Sequence, residues 1–142
     1  MLAKLSFFIR SKYYSFMFNK KIRVHGKIEI GNLRNIYIED GVTLNKGVYL
    51  QGRSKITISK GTVISRGVSI YDASLDMNDR TKHNVNSVEL GKNVWVGANS
   101  LILPGVVIGD NCLIAAGSVV TKSFDSNVLI GGNPAKIIRQ LT

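Results

Sequence analysis

The chain of 142 residues contains one cysteine, two prolines and two histidines, and it has 9 acidic residues against 19 basic ones. A single cysteine excludes a disulfide framework and a cysteine-rich zinc site. Two histidines argue against a metal centre that needs three imidazole ligands. With two prolines and no low-complexity tract there is no obvious linker, so we expect one domain.

The formal net charge of +10 restricts the partners of the protein. Nucleic acid, an anionic membrane surface and a phosphate-rich small ligand would each complement this charge. The sequence shows neither a recognition-helix pattern nor the aromatic box of RNA-binding modules. We therefore expect no nucleic-acid partner.

Glycine and asparagine recur in a fixed relation to apolar residues. Nine apolar residues each stand three places before a glycine or an asparagine: Ile38, Leu44, Ile58, Ile64, Leu90, Val96, Ile102, Ile108 and Ile114. Glycine and asparagine adopt positive φ at the least cost, which a tight corner requires. One inward apolar residue per short strand, followed by a corner, is typical of a parallel β-helix built from hexapeptides.

The register of these hexads predicts the number of coils. From Leu90 to Val120 the inward residues are strictly six apart, whereas Ile30 to Ile38 and Leu50 to Ile58 are eight apart. Each longer gap implies a two-residue insertion at a corner, and the two insertions are expected on the same edge. Three hexads make one triangular coil, so the length fits about five coils. Cys112 falls among the short residues at the fifth place of the hexad, which suit a narrow interior.

Residues 1–23 combine aromatic and basic side chains at helical spacing. We expect a helical cap over the open end of the solenoid, and a peripheral membrane contact through a basic amphipathic surface is a second interpretation that can coexist with it. Lys4 and Arg10 interrupt any membrane-spanning run, and no signal-peptide cleavage site follows. We expect a cytoplasmic protein, with the inner face of the membrane as the alternative.

The hexads lapse between Ile70 and Val88, where the residues are mostly polar. We expect a loop over residues 71–87 that leaves the prism, because function concentrates in loops that stand on a rigid scaffold. The β-helix coils are then predicted over 28–70 and 88–125, with a C-terminal segment over 126–142.

The segment from Val88 to Arg139 contains VWVGAN, GSVVTK and GNPAKIIR. In these motifs the chain resembles the hexapeptide-repeat acyltransferases, specifically the sugar O-acetyltransferases related to galactoside, maltose and capsular-polysaccharide acetyltransferases. The resemblance covers residues 58–139. It implies an all-β fold, a left-handed parallel β-helix of hexapeptide repeats with a short N-terminal helical cap and one protruding loop. It also implies one acyltransferase domain over 1–142, a homotrimer and active sites between subunits.

The resemblance implies acetyl-CoA as the acyl donor and no metal. The family's cofactor contacts fall, residue by residue, on small residues that offer backbone groups to the pantetheine arm and on polar or basic residues nearer the adenosine and its phosphates: Ala98, Ala116, Thr121, Lys122, Lys136 and Arg139. Cations are the groups that phosphates require. Small corner residues and solvated surface charges are the alternative interpretation of the same positions.

The chemistry of this family needs a histidine that removes the proton from the acceptor hydroxyl. Near Tyr71, the position implied by the resemblance is occupied by Ala73. Three explanations stay open. The alanine is a deliberate inactivating replacement of histidine; or His83 of the same loop takes over; or the chain is naturally inactive or uses another base, such as Asp72 or Tyr71.

Other polar residues of the loop are candidates for orienting the base or the acceptor. Asp76 is expected to orient the base or the loop, and Arg80 and Asn84 are candidate acceptor contacts, although aspartate and asparagine are also common turn formers. Trp95 lies in the motif that the resemblance places beside the acceptor cleft, or it simply packs. We predict an O-acetyltransferase for a sugar or polysaccharide hydroxyl in surface-polysaccharide biosynthesis. A sugar-nucleotide N-acetyltransferase and an inactive cofactor-binding trimer are the alternatives.

Overall fold

The computed structural model describes residues 1–142. It contains one α-helix, α1 (Leu2–Phe18), and one 3₁₀ turn (Leu33–Asn35). The strands, in chain order, are β1 (Arg23–His25), β2 (Glu29–Ile30), β3 (Ile36–Ile38), β4 (Thr43–Asn45), β5 (Tyr49–Leu50), β6 (Ile56–Ile58), β7 (Val63–Ile64), β8 (Ser69–Ile70), β9 (Ala73–Leu75), β10 (His83–Val85), β11 (Val88–Leu90), β12 (Trp95–Val96), β13 (Leu101–Ile102), β14 (Val107–Ile108), β15 (Leu113–Ile114), β16 (Val119–Val120), β17 (Val128–Gly132) and β18 (Ala135–Gln140).

These strands wind into a three-sided prism. Face one stacks β1, β4, β7, β12, β15 and β17; face two stacks β2, β5, β8, β13 and β16; face three stacks β3, β6, β11 and β14. The stacked strands are parallel, and inward residues lie opposite inward residues, as Leu44 does with Ile64. The three faces hold six, five and four strands, which corresponds to five coils of three strands each. The parallel β-helix predicted from the hexads is confirmed.

The interior is filled by the residues that begin the hexads. Each of the nine is at most 4% exposed, and the residues at the fifth place are buried beside them. Cys112 is one of these, and its Sγ contacts the carbonyl oxygen of Asp125 at 3.2 Å. The thiol is therefore a small core filler that donates to the backbone.

All nine predicted corners have the left-handed backbone conformation. The φ angles lie between 54° and 84° at Gly41, Gly47, Gly61, Gly67, Asn93, Asn99, Gly105, Asn111 and Gly117. A residue with a larger side chain pays roughly 1–2 kcal/mol in this region. The corner residues are therefore chosen by backbone geometry.

We name the edges by the faces that they join. The first edge joins face one to face two, the second edge joins face two to face three, and the third edge joins face three to face one. Both two-residue insertions lie on the second edge, as predicted, where the Asn35 side chain donates to the Gly52 carbonyl at 2.9 Å. The insertion over 71–87 leaves the prism from this same edge, between β8 and β11.

Helix α1 is tied to the first coil. The Val24 amide donates to Ser11 Oγ at 3.0 Å, and Tyr14 and Phe18 pack against the core. The helix ends at Asn19, whose φ is 51°. The helix lacks the combination of length and hydropathy that crossing a bilayer requires.

The predicted coil ranges 28–70 and 88–125 are too short at both ends. Strand β1 already pairs with β4, and β17 stacks on β15 before the chain turns back as the antiparallel strand β18. Residues 71–87 are also more regular than the predicted loop, because β9 and β10 form an antiparallel hairpin. The hexad pattern missed these elements for different reasons. Val24 stands six residues before Ile30, but its glycine, Gly26, comes two places later and not three, Ile130 of β17 stands ten residues after Val120, and the hairpin contains no hexad.

We predict that Gly117→Ala lowers the free energy of unfolding by about 1 kcal/mol through backbone strain alone. Gly117 has a φ of 69°, and an added Cβ meets no atom within 4 Å. Gly117→Asn should cost less, because asparagine tolerates this conformation and occupies equivalent corners. Urea denaturation of the three proteins measures the difference. Equal losses for alanine and asparagine would show that backbone conformation does not select the corner residues.

Candidate functional site

The hairpin of β9 and β10 is anchored at its base by two polar side chains, the buried Asp72 and the half-buried Gln51. Asp72 is fully buried, and its carboxylate accepts the backbone amides of Arg53 at 2.9 Å and Ser54 at 2.6 Å. Gln51 Oε1 accepts the amides of Asp72 at 3.1 Å and Ala73 at 3.0 Å. These bonds hold the start of the hairpin rigidly against the second edge. They also occupy both carboxylate oxygens of Asp72, which leaves it poorly suited to act as a base.

The register of the hairpin places the candidate residues on two faces. Ala73 lies opposite Val85, and Leu75 lies opposite His83. Because side chains alternate along a strand, these four share one face of the hairpin. Ala73 is 7% exposed, whereas His83 is exposed. His83 is thus a diagonal neighbour of Ala73, a relation in which Cβ atoms lie about 7 Å apart.

Asp76 stabilises the turn of the hairpin. Its Oδ1 accepts the amides of Asn78 at 2.7 Å and Asp79 at 3.0 Å. The backbone amides of Asp79 and Asn78, and then the Asn84 side chain, lower the pKa of the Asp76 carboxyl. The Asn84 side chain thus lies close enough to the Asp76 carboxyl to affect its pKa, and Arg80 lies exposed in the turn.

A groove of about 340 Å³ on the first edge brings three predicted residues together: Trp95, Ala98 and Ala116. The indole is 56% exposed, and its Nε1 donates to Ser65 Oγ at 3.0 Å. At Gly97 an added Cβ would lie 2.5 Å from the Ala116 amide nitrogen, so only glycine permits this close stacking of coils. Ser65 was not among the predicted residues. Its position one coil before Trp95 follows from the hexad register, so the spacing could have identified it as a neighbour of the indole.

The polar surface of this groove comes from the backbone. The Ala98 carbonyl accepts the Gly117 amide at 2.8 Å, whereas no main-chain amide donates to the Ala116 carbonyl. Ala116 and the exposed indole of Trp95 line the same groove. This combination can bind a flexible, amide-containing chain, with one acceptor for its N–H groups and an apolar wall for its methylenes.

Two of the predicted cations share a second cavity of about 510 Å³. Lys122 and Lys136 line it with Val107 and Phe124, and Lys122 Nζ lies 5.5 Å from the centre of the Phe124 ring. Thr121 and Arg139 are exposed but do not line this cavity. The structure thus pairs two of the four polar positions that the resemblance assigns to the cofactor.

Within one protomer the two groups of candidate residues are separated. The hairpin leaves the second edge, whereas Trp95, Ala98 and Ala116 lie along the first edge. Trp95 therefore lies with the candidate cofactor residues and not beside the hairpin of its own protomer. No cluster of three or more histidine, cysteine, aspartate or glutamate side chains forms a metal site.

Comparison with known proteins shows which sequences and folds this chain is similar to. The family model described as bacterial transferase hexapeptide (six repeats) matches residues 87–122. The crystal structure of a maltose O-acetyltransferase from Clostridium difficile 630 is 33% identical, has a TM-score of 0.82, and is matched over 87% of this chain and 68% of that chain. A hexapeptide-repeat acetyltransferase from Vibrio cholerae, solved with acetyl coenzyme A, is 27% identical with a TM-score of 0.86, covering 94% and 77%.

Among curated sequences, galactoside O-acetyltransferase from Escherichia coli (strain K12) is 32% identical over 111 residues, which is 75% of this chain and 55% of that enzyme. The chain also spans 57% of the length of a Saccharomyces cerevisiae relative to which it is 39% identical. These curated relatives are therefore considerably longer than the part that the chain matches.

The turn bonds of Asp76 predict a low titration midpoint. Because its folded pKa is lowered, the ionised carboxylate stabilises the turn at pH values above the ordinary aspartate pKa of about 3.9, and this stabilisation is lost as the pH falls through the lowered value. The amide proton shift of Asn78, followed by NMR, should titrate with a midpoint below 3.9. The transition should be absent from Asp76→Asn. A midpoint at or above the ordinary value would contradict the hydrogen bonds described.

Proposed function

The chain belongs to the hexapeptide-repeat acyltransferases, and from this premise we propose that it is an acetyl-CoA-dependent O-acetyltransferase that acts on a sugar or polysaccharide hydroxyl. The observation that carries the proposal is the similarity to maltose O-acetyltransferase over 68% of that chain. Trp95, Ala98 and Ala116 of the groove also lie within residues 87–122, which the family model matches. The kinship with galactoside O-acetyltransferase supports the same acceptor class.

Acetyl-CoA is proposed to lie along the first edge. The pantetheine arm would pass Trp95 and Ala116 on the first edge of one protomer. Lys122 and Lys136, whose cavity lies beside Val107 of face three, would meet the phosphates from a neighbouring copy. Phosphate oxygens form strong charge-assisted bonds with ammonium groups. Arg139 and Thr121 are proposed as outer contacts at the nucleotide end. The Vibrio cholerae structure, which holds acetyl coenzyme A, supports this choice of donor.

The working assembly is proposed to be a homotrimer. In one protomer the hairpin and the groove lie on different edges, so a single chain does not bring acceptor base and thioester together. A neighbouring copy that presents its hairpin to the first edge would complete the site. A solution mass of three times 15.6 kDa is the expected value.

We assign His83 as the general base. It is exposed, it shares the hairpin face of Ala73, and it lies diagonally across the pair from that position. Asp72 has both oxygens occupied by backbone amides, and Asp76 is engaged in the turn. His83 would accept the proton of the acceptor hydroxyl while the oxygen of that hydroxyl attacks the thioester carbonyl of acetyl-CoA. The C–S bond then breaks, an ester C–O bond remains, and coenzyme A leaves as the thiol after taking up that proton.

We predict that His83→Ala lowers kcat for acetyl transfer by about 10²–10⁴-fold, the usual contribution of a general base. Release of the coenzyme A thiol, with maltose and a galactoside as acceptors, measures the rate. His25→Ala is the matched control, because His25 stacks on Phe7 of α1 at 4.4 Å, away from the hairpin.

Ala73→His separates the remaining explanations. If residue 73 is the position of a replaced base, this variant gains activity by orders of magnitude and His83→Ala has no effect, which would refute the assignment of His83. Transfer only to amino-sugar acceptors would favour N-acetylation. Acetyl-CoA binding without transfer in every variant would favour an inactive cofactor-binding trimer.

Helix α1 is proposed as a peripheral membrane contact. Its packed side includes Ser11, Tyr14 and Phe18, and the opposite side carries a stripe of exposed apolar residues at helical spacing: Leu2, Leu5, Ile9, Tyr13 and Phe16. Basic residues accompany the stripe, and no acidic residue precedes Glu29. An apolar stripe with basic neighbours suits the anionic cytoplasmic leaflet.

We predict that the protein co-sediments with vesicles containing phosphatidylglycerol and that Leu5→Gln with Ile9→Gln weakens this binding more than tenfold, since each side chain contributes about 1.5–3 kcal/mol when buried. Ile138→Gln is a suitable control, because Ile138 is 58% exposed and Ile9 is 59% exposed. If the double variant instead changes the solution mass while vesicle binding is unaffected, the stripe serves self-association and the membrane proposal fails.

A further inference from the structure

The first edge carries one cation in each of the first three coils. Lys27, Lys46 and Arg66, here called the basic column, occupy the same position in successive coils. The amide that follows in the next coil donates to each carbonyl, at 2.8 Å for Lys27, 3.0 Å for Lys46 and 2.9 Å for Arg66. Ala98 continues the same series at 2.8 Å. The basic column is therefore in line with the groove at Trp95.

The basic column has no internal partner. Its three side chains are exposed and make no hydrogen bond, and the one ion pair within 4.0 Å in the chain joins Lys82 to Asp79 on the hairpin. Stacked strands lie about 4.8 Å apart, so three like charges are held in a row at close spacing. Such charges repel each other, and a bound anion would relieve that repulsion.

The third edge shows that this charge pattern is not a requirement of the fold. It also has one lysine in several coils, but a carboxylate accepts the backbone amide of each of these lysines. Asp40 accepts from Lys21 at 2.8 Å, Glu39 from Lys60 at 2.8 Å, and Asp110 from Lys92 at 2.7 Å. The third edge is thus balanced in charge. The first edge has no such carboxylates in its corners, although its coils have the same geometry.

The surroundings of the basic column suit a sugar chain. Lys27 and Lys46 line a shallow cavity of about 270 Å³ with Tyr49, and Glu29 is the one carboxylate there. The Tyr49 ring lies 5.4 Å from that of Tyr71, at the start of the hairpin segment. Aromatic surface beside cations offers apolar contact to a sugar ring and charge to its acidic groups.

The position of the basic column relates it to the transfer site. Arg66 lies between β7 and β8, and the hairpin leaves the prism directly after β8. The basic column thus ends in the same coil from which the hairpin leaves, although the hairpin leaves from the second edge and would meet the first edge of a neighbouring copy in the proposed trimer. The groove at Trp95 continues along the first edge in the later coils. An acceptor on the basic column would approach the thioester end of the cofactor from the side away from its nucleotide.

We propose that the basic column binds the acceptor and that this acceptor is an acidic glycan, held by its carboxylate groups along the first edge. Arg66 would form a bidentate pair with a carboxylate near the reacting hydroxyl, and Lys46 and Lys27 would hold the next acidic sugars. The role as acceptor rests on the proposed acetyl transfer, whereas the affinity for an acidic glycan does not.

The experiment measures binding by calorimetry for two probes of equal length, an oligogalacturonate and a malto-oligosaccharide. The wild type should bind the acidic probe at least tenfold more tightly than the neutral one. The variant Lys27→Gln, Lys46→Gln, Arg66→Gln should lose that preference. The control Lys21→Gln, Lys60→Gln, Lys92→Gln, which removes the same net charge from the third edge, should keep it. Circular dichroism confirms that both variants are folded.

Acetyl-CoA affinity, measured on the same proteins, distinguishes the remaining outcomes. It should be unchanged in the basic-column variant and weakened in Lys122→Gln with Lys136→Gln. Loss of acetyl-CoA affinity in the basic-column variant would assign those cations to the cofactor phosphates and overturn the proposal. Equal binding of both probes, or equal loss in the control, would also overturn it. Preferential binding without acetyl transfer to any acceptor would instead refute the proposed function and leave the glycan site standing.

Discussion

The fold depends on a main-chain ladder between coils, and the ladder depends on the corners. Each two-residue strand bonds to the coils on either side, and the chain must then turn sharply without losing that register. Left-handed backbone at glycine and asparagine makes this turn at low cost. The asparagines add a second ladder, since the Asn111 side chain donates to that of Asn127 at 3.2 Å. The corners thus align the backbone, and the aligned backbone stacks the core.

Because the ladder satisfies the backbone, the edges of the prism are free to differ in chemistry. The second edge accepts insertions, from two residues in the early coils to the hairpin after β8. On the third edge, carboxylates accept the backbone amides of lysines, whereas the first edge combines small residues, one tryptophan and a row of cations. The candidate functional residues of this chain therefore lie on the edges of the prism, and each additional coil adds one equivalent position to each edge.

Much of this architecture could be predicted from residue spacing. The inward residues, the nine corners, the burial of Cys112 and the insertions on one edge all follow from a period of six, which is local information. The bounds of the prism could not be predicted in this way. Strand β1 around Val24 precedes the regular hexads, and β17 follows them, and both belong to the prism because they hydrogen-bond to a neighbouring coil. The hairpin likewise depends on two polar anchors, the half-buried Gln51 and the buried Asp72, which no hexad marks.

The sequence by itself determined the repeat, the family and the pool of candidate residues, because each of these resides in residue identity and in spacing along the chain. Only the tertiary structure decided which candidates meet. It placed Trp95 with Ala98 and Ala116, put His83 on the hairpin face of Ala73, engaged Asp76 in a turn, and aligned Lys27, Lys46 and Arg66 on one edge. The physical reason is the coil itself. It brings residues between 16 and 32 positions apart into contact, and the size of each insertion determines which residues meet.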